Sequence, residues 1–242
     1  MNNVICTKWG VKFPADYVNK LYAMVQRNLT LPHRFICFTD NPKGIRDNVE
    51  IKPLPSIAAT LPLPDRRGWK KLCVFAKDLG DLSGKALYLD IDSVIIDSID
   101  PLLAMDCEFY MLKNKRRREG INGDSNVFVF EIGKHHDILD EFCENTASVM
   151  AHFRNDQEYL SHFMLKKGLL RFWPENWCVN FKKKSLPRLP WSFLMHPTIP
   201  KGSRIIVFSG KPRIEQAIAG YRSLRRGLNV RPAPWLADYW YE

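Results

Sequence analysis

The spacing of apolar residues predicts a strand, a helix and two further strands near the start of the chain. Residues 4–7 and 35–38 are apolar runs typical of buried strands, and 49–51 is a shorter one. Between the first two runs, Pro14 opens a helical pattern, since proline is favoured in a first turn. Its apolar face comprises Tyr17, Val18, Leu21, Met24, Val25 and Leu29. This β-α-β beginning predicts an α/β fold with a parallel sheet.

The pattern continues along the chain without an internal repeat or a clear linker. Residues 54–68 are rich in proline and lack periodicity, which predicts a loop. The remaining predicted elements are helices over 69–79, 137–151 and 158–166, a short helix from 100, and strands over 108–112, 126–130, 169–173 and 205–208. We therefore expect residues 1–242 to form one domain.

Residues 85–96, KALYLDIDSVII, combine an apolar run with two closely spaced aspartates and are the central candidate for a functional site. An unbroken apolar run at 86–89 predicts a strand buried on both faces of a sheet, and Asp90 and Asp92 follow it. If strand geometry continues to Asp92, the two-residue period places both carboxylates on one side. Ligand sites in open α/β sheets lie beyond the carboxyl ends of strands, and paired carboxylates suit a hard divalent cation.

An Asp-x-Asp pair alone leaves several interpretations open. A calcium loop of the EF-hand type is excluded, because its required glycine falls on Ile95 and its closing glutamate on Pro101. A haloacid-dehalogenase-like phosphatase would use Asp90 as nucleophile and Asp92 as acid/base. A metal-dependent nucleotide-sugar transferase would use both to anchor a diphosphate. Two solvated aspartates at the end of a strand are the plain structural alternative.

Composition limits the cellular locations that the sequence predicts. No apolar run approaches the roughly 20 residues of a membrane-spanning helix, and the N-terminus lacks the apolar core of a signal peptide. The six cysteines are isolated, and those inside apolar runs, such as Cys6 and Cys37, are expected to be buried free thiols. This usage indicates a reducing, cytoplasmic location.

The formal net charge of +10 favours an anionic partner. Basic residues concentrate at 113–118 and 182–184, and both runs are expected to be solvated faces. Without a recognisable nucleic-acid module, nucleic acid is not an expected partner. The run at 113–118 is also a candidate contact for an anionic acceptor or for peripheral attachment to a membrane surface.

Several segments together resemble the GT-A glycosyltransferases, particularly bacterial proteins related to family 8, the glycogenin-like and galactosyltransferase-like retaining enzymes. The segments are ICTKWG, FICFTDNP, GWKKL, ALYLDIDSVIIDSIDPLL, NVFVFEIG, NDQEYL, WPENWCVNFK and IIVFSGKP. The resemblance implies a Rossmann-like GT-A domain with a central, mostly parallel sheet flanked by helices. It also implies transfer of a hexose from a nucleotide sugar, expected to be a UDP-sugar, to a glycan, lipid or protein acceptor with retention of configuration.

The resemblance assigns the nucleotide-sugar donor to three groups of residues. Asp90 and Asp92 match the pair that binds Mn²⁺ or Mg²⁺ and the diphosphate, and Lys71 matches a basic position near the donor. Thr39 and Asp40, at the end of the second predicted strand, would lie near the nucleotide pocket. A solvated helix lysine and a plain Asp-Asn-Pro turn are the structural alternatives.

The reacting sugar is assigned to Asp156 and Gln157, which match an Asp-Gln pair beside the reacting carbon in similar enzymes. Asp156 has a structural alternative as the cap of the following helix. Asp124, in a predicted turn, stands where relatives usually carry an asparagine that touches the donor sugar.

The late Gly-Lys-Pro element matches a diphosphate contact through Gly210 and Lys211. Relatives usually have a histidine immediately before this glycine as the third metal ligand, and this chain has Ser209. A hydroxyl is a poorer ligand than imidazole for Mn²⁺ but is tolerable around Mg²⁺. This departure motivates a further alternative, a non-catalytic relative that binds a nucleotide or glycan.

Overall fold

The computed structural model of the protein describes residues 1–55, 67–106, 108–114, 123–223 and 227–242. The strands are β1 (Asn2–Lys8), β2 (His33–Thr39), β3 (Glu50–Pro53), β4 (Lys85–Leu89), β5 (Ser93–Ile95), β6 (Phe109–Lys113), β7 (Gly123–Glu131), β8 (Arg171–Phe172), β9 (Cys178–Asn180), β10 (Ile205–Val207), β11 (Tyr221–Ser223) and β12 (Leu228–Val230). The α-helices are α1 (Asp16–Asn28), α2 (Asp100–Ala104), α3 (Asp137–Glu144), α4 (Thr146–His152), α5 (Asp156–Lys166) and α6 (Ile214–Ala219). Shorter helical segments are the 3-10 helices Trp69–Phe75, Trp191–Phe193 and Pro234–Asp238 and a π-helical turn, Phe181–Ser185.

A seven-stranded sheet in the order β3-β2-β1-β4-β7-β6-β8 forms the centre of the fold. Strands β3, β2, β1 and β4 are parallel, β7 runs antiparallel to both β4 and β6, and β8 is parallel to β6. A smaller sheet, β5-β10-β9, follows the aspartate segment. The predicted α/β class with a mostly parallel central sheet is confirmed.

Strand β4 shows why its apolar run is continuous. Leu87 and Leu89 pack into one hydrophobic core with helix α1, whereas Ala86 and Tyr88 pack into a second core with the 3-10 helix Trp69–Phe75. Successive side chains of a strand point to opposite faces, so a strand covered on both faces needs an apolar residue at every position. The predicted apolar face of α1 is buried in the first of these cores.

The structure differs from the prediction in the chain after β4 and in two of the predicted helices. Strand β4 ends at Leu89, and residues 90–92 form a turn in which the Ser93 amide donates to the Asp90 carbonyl at 3.1 Å. The two aspartates are therefore not aligned by a continued strand, and the prediction that the strand extends to Asp92 is wrong. The helix predicted over 69–79 is a 3-10 helix that stops at Phe75, because the backbone of Ala76 is extended.

The helix predicted over 137–151 is divided into α3 and α4 at Asn145, whose backbone leaves the helical region. Most of the predicted loop at 54–68 and of the basic run at 113–118 lies outside the described residues, as does Cys107. Cys6 and Cys37 are buried free thiols, as predicted. Within the described ranges, no helix has the length and apolar character needed to cross a membrane.

Candidate active site

A cavity of about 970 Å³ opens where β1 and β4 end, at the carboxyl edge of the parallel strands. The predicted site residues that line it are Lys71, Asp90, Asp92, Asp124, Asp156, Gln157, Ser209 and Gly210. Residues distant in the sequence therefore meet at the edge where ligands bind in open α/β sheets. Thr39, Asp40 and Lys211 are not among the lining residues.

Asp90 is held in place by hydrogen bonds from two side chains and to one neighbouring strand. The Tyr88 hydroxyl donates to its Oδ1 at 3.0 Å, and the Lys71 ammonium donates to its Oδ2 at 2.8 Å. The Asp90 amide donates to the carbonyl of Asn126 on β7 at 2.9 Å. Both carboxylate oxygens and the backbone are therefore fixed before any ligand binds.

Asp92 reaches the same cavity because the turn after β4 brings it back beside Asp90. Burial and, to a smaller extent, the charge of Asp90 raise the pKa of Asp92 to about 7, and Lys12 and Lys71 oppose the increase. A carboxyl group that resists ionisation beside another carboxylate marks a place where negative charge is incompletely compensated. A cation at this place would be favourable.

Lys71 lies at the floor of the cavity and is almost fully buried. Its ammonium donates to the carbonyl and hydroxyl oxygens of Ser125 at 3.0 and 3.1 Å and lies 3.6 Å from Asp156 Oδ2. Burial alone lowers the pKa of Lys71, but the charges of Asp90 and Asp156 outweigh it and keep that pKa above its ordinary value. The alternative of a solvated helix lysine is therefore wrong.

Asp156 opens helix α5 without capping it. The cap is Asn155, whose side-chain oxygen accepts from the Glu158 amide at 3.1 Å, so the interpretation of Asp156 as the cap is wrong. The Ser125 hydroxyl donates to Asp156 Oδ2 at 2.6 Å. Burial raises the pKa of Asp156 to about 6, although Lys71 and Ser125 both lower it.

Gly68 makes room for the Asp156 carboxylate. A β-carbon at this position would lie 2.5 Å from Asp156 Oδ1, and the backbone has a φ of 81°, which favours glycine. The Asp156 amide also donates to the carbonyl of Arg67 at 3.3 Å. The segment before the 3-10 helix is therefore in direct contact with the start of α5.

Asp124 lies within strand β7, not in the turn that the sequence predicts. Its Oδ1 accepts from the Asn126 amide at 3.2 Å, and burial raises its pKa. The preceding Gly123 has no room for a side chain, since a β-carbon there would overlap with Met111 and Ser161. Strand β7 therefore approaches helix α5 closely just where the two elements carry their acids.

The opposite wall is formed by the segment after β10 and by the turn after β9. Ser209 Oγ accepts from the Asn180 amide nitrogen at 3.0 Å, and the Lys182 ammonium donates to the Ser209 carbonyl at 2.6 Å. The same ammonium donates to the carbonyl of Lys211 at 3.3 Å, while the Lys211 side chain is exposed. Lys183 and Lys184 are exposed, as expected for a solvated face, whereas Lys182 is partly buried; Lys182 and Lys183 also line the cavity.

The loop after β1 is the main part of the cavity wall that the sequence analysis missed. Lys8, Trp9 and Lys12 line the cavity, and the Asp40 carboxylate accepts from the Gly10 amide at 3.0 and 3.2 Å. Asp40 therefore contacts this loop rather than the cavity itself. The signal was available, because β1 is parallel to β4 and its carboxyl end must lie at the same edge.

Comparison with known structures identifies the fold. No known protein-family model matches the sequence, and no curated protein matches it. A solved structure of the galactosyltransferase LgtC, in complex with donor and acceptor sugar analogues, is 16% identical, with 88% of each chain covered and a TM-score of 0.60. A second, of an LgtC active-site mutant, is also 16% identical, covers 88% of this chain and 89% of that chain, and has a TM-score of 0.61. The chain has the GT-A fold.

In this GT-A fold the oxygen atoms at the aspartate pair can be compared with the ligands that a metal ion needs. Asp90 and Asp92 supply two carboxylates that repel each other, and Ser209 supplies a hydroxyl with an unshared lone pair. Within the described ranges, no three His, Cys, Asp or Glu side chains converge as a metal-binding group. These oxygen ligands suit a hard cation such as Mg²⁺, whose remaining ligands would be phosphate oxygens and water. They suit a metal that prefers imidazole ligands less well.

Proposed function

We propose that this protein is a glycosyltransferase that moves a hexose from a nucleotide-sugar donor, a UDP-sugar, to an acceptor with retention of configuration. The observation that carries the proposal is the convergence of Asp90, Asp92, Asp156 and Gln157 on one cavity in a GT-A fold. The cavity volume of about 970 Å³ lies at the upper end of the range for small-molecule sites, as a nucleotide sugar requires.

The diphosphate half of the donor is assigned to the side of the cavity that holds the aspartate pair. When bound there, a divalent cation would be held by Asp90 and Asp92 and would neutralise charge on the departing nucleotide diphosphate. Lys12 and Lys182 supply positive charge on the cavity wall, and Gly210 lets the backbone approach phosphate oxygens. These features support an anionic ligand, although the acids alone would repel one.

The sugar half is assigned to Asp156 and Gln157 at the start of α5, with Asp124 opposite on β7. Asp156 is buried beneath Ser125 and Gly68, whereas Gln157 is partly exposed in the cavity. We therefore assign Gln157 to direct contact with the sugar, and Asp156 to electrostatic stabilisation of positive charge at the reacting carbon. One of the two similar LgtC structures is described as an active-site variant with glutamine replaced by glutamate, so an active-site glutamine occurs in a protein of this fold.

Retention is proposed to occur by attack of the acceptor on the face from which the diphosphate leaves. The acceptor oxygen forms the new bond to the anomeric carbon, the bond to the diphosphate breaks, and the acceptor proton passes to a phosphate oxygen. The alternative is a covalent adduct on a carboxylate. Front-face attack is favoured because Asp156 Oδ2 accepts a hydrogen bond from Ser125 and its Oδ1 packs against Gly68.

The phosphatase alternative finds less support. Such an enzyme needs a late acidic pair near the nucleophile, and the chain after Lys211 has only Glu215, Asp238 and Glu242 as acids. Glu215 accepts from the Tyr17 hydroxyl, Glu242 lies 3.8 Å from Arg46, and none of the three lines the cavity.

Donor binding and turnover test the proposal directly. UDP-glucose, UDP-galactose and other nucleotide sugars are titrated by calorimetry with and without Mg²⁺ or Mn²⁺, and slow donor hydrolysis is measured in parallel. Wild-type protein is compared with Asp92→Asn and with Asp97→Asn, a matched substitution on an exposed aspartate paired with Arg204 outside the cavity. We expect metal-dependent donor binding that Asp92→Asn weakens at least tenfold and Asp97→Asn leaves unchanged.

The outcomes separate the alternatives. Turnover of p-nitrophenyl phosphate without nucleotide-sugar binding would favour the phosphatase. Tight metal-dependent binding of UDP without hydrolysis or transfer would favour a non-catalytic relative. Donor binding that is insensitive to Asp92→Asn would contradict the assignment of the diphosphate to this pair.

A further inference from the structure

Residues 189–195, here called the apolar tip, expose large hydrophobic side chains in an unusual concentration. Eleven large hydrophobic residues are exposed in the described ranges, and five of them fall within these seven positions. They are Leu189, Trp191, Phe193, Leu194 and Met195, which are between 51% and 69% exposed. Exposed hydrophobic residues scattered singly need no explanation, but a contiguous group indicates an interaction surface.

The apolar tip is held in a defined conformation. Its centre is the 3-10 helix Trp191–Phe193, in which Ser192 is buried and its carbonyl accepts from the Asn229 side chain at 2.8 Å. Just beyond the tip, the His196 ring donates to the Pro232 carbonyl at 2.7 Å. The polar backbone is thus attached to the body of the protein while the hydrophobic side chains on either side of Ser192 face outward.

The chain around the tip is strongly cationic. Residues 176–214 contain eight Lys or Arg residues and no Asp or Glu, against a formal net charge of +10 for the whole protein. Arg188 immediately precedes the tip and Lys201 follows it, and both are exposed. The hydrophobic side chains of the tip are therefore flanked in the sequence by basic residues, of which Arg188 and Lys201 are the nearest on either side.

We propose that the apolar tip docks on the surface of an anionic lipid bilayer. Trp191 and Phe193 have aromatic rings suited to the boundary between headgroups and acyl chains, while Leu194 and Met195 add apolar area. Arg188 and Lys201 would lie against anionic headgroups, an attraction that salt screens. A protein partner of matching chemistry would need an apolar pocket ringed by acids, whereas a bilayer supplies both components over a broad surface.

The docking surface adjoins the candidate active site. Arg188 lines a second cavity of about 330 Å³, which shares Asn114, Asp124, Asn180 and Lys183 with the main cavity. A bilayer bound at the tip would therefore hold these two openings close to the headgroup layer. The residues of this surface are not those of the basic run at 113–118, most of which lies outside the described residues, and binding through them does not depend on any catalytic activity.

Vesicle binding tests the proposal on the full chain. Sedimentation with phosphatidylcholine vesicles, with and without phosphatidylglycerol, is expected to show binding only when the anionic lipid is present, weakening as salt increases. Trp191→Ser/Leu194→Ser is expected to reduce binding at least tenfold. The matched control Ile51→Ser/Leu165→Ser, which removes exposed apolar residues from β3 and α5, should bind like wild type.

Insertion of the tip is checked separately by tryptophan fluorescence. Lipids brominated on the acyl chains should quench part of the wild-type emission, and Trp191→Phe should remove that part. Arg188→Gln/Lys201→Gln should weaken binding and reduce its salt dependence. Undiminished binding of the tip variant, or absence of binding to anionic vesicles, would overturn the proposal. So would a dimer that the tip variant dissociates in the absence of lipid binding, since the tip would then be a self-association surface.

Discussion

The floor of the cavity and the apolar tip depart from the usual distribution of side chains in opposite ways. At the floor, Lys71 and Asp156 carry charge in the interior, and each finds its partners within the chain. At the tip, Trp191 and Leu194 carry apolar area on the outside. A buried charge must be compensated by other groups of the same protein, whereas an exposed apolar surface can be covered later by a binding partner. The first arrangement should therefore control stability and the second should control association.

Removing the central cation should have the largest effect on stability. Lys71→Met leaves the buried Asp156 and the partly buried Asp90 without their shared counter-ion, and we expect a loss of about 3–5 kcal/mol in the free energy of unfolding, as for other broken buried pairs. Urea denaturation at neutral pH measures this loss. Lys134→Met, which breaks only exposed pairs with Glu108 and Glu131, should change the free energy of unfolding by less than about 1 kcal/mol. Equal effects of the two variants would contradict the compensation that we assign to Lys71.

Two glycine substitutions separate backbone strain from crowding at the floor. Gly68 and Gly210 have φ values of 81° and 75°, but a β-carbon meets Asp156 only at Gly68. We expect Gly210→Ala to cost about 1 kcal/mol of unfolding free energy from the backbone alone, and Gly68→Ala to cost about 1–3 kcal/mol more. Thermal denaturation of both variants measures the difference. If the two substitutions cost the same, the contact between Gly68 and Asp156 is not a close one.

The ionisation of Asp156 should oppose folding as the pH rises. Its pKa is about 6 in the folded protein against an ordinary value of 3.8, so the folded state holds the proton more tightly. The stabilising contribution is complete below the ordinary value and is lost as the pH rises through about 6. Asp156→Asn should therefore gain stability relative to wild type between pH 4 and pH 7, by on the order of 1–3 kcal/mol. Urea denaturation across this pH range measures the gain, and a constant difference would contradict the raised pKa.

The smallest effect on stability is expected at the tip. Trp191→Ser/Leu194→Ser removes side chains that are more than half exposed, so the free energy of unfolding should change by no more than about 0.5 kcal/mol. The same double variant should lose vesicle binding. A large loss of stability measured by thermal denaturation would show that these side chains pack against the protein, and the comparison with the floor would fail.

The sequence predicts the core of this fold better than its site, for physical reasons. The strand at 86–89 and the apolar face of α1 leave a local pattern, because burial acts on each residue in turn. The order and spacing of short motifs predicted that Lys71 and Asp156 belong to one site, but not the bridge through Ser125 that joins them. That bridge depends on how β7 packs against its neighbours, which no local pattern records.

Two outcomes show where pattern alone misleads. Asp90 and Asp92 share a cavity, yet a turn brings them together and not the alternation of a strand. The basic run at 182–184 has the composition of a solvated surface. Because the chain after β9 lies beside the chain after β10, however, Lys182 is part of the cavity wall. Charge alone does not indicate which exposed residues face a concave surface.

Gly123 affects the shape of the cavity without contributing a charged group to it. With no side chain at that position, β7 can lie against Met111 of β6 and Ser161 of α5, and Asp124 of β7 and Asp156 of α5 both line the cavity. A combinatorial library that varies the carboxylates while holding position 123 constant would sample altered chemistry on an intact frame. A library that varies position 123 would instead change the width of the cleft and blur the effect of every other substitution.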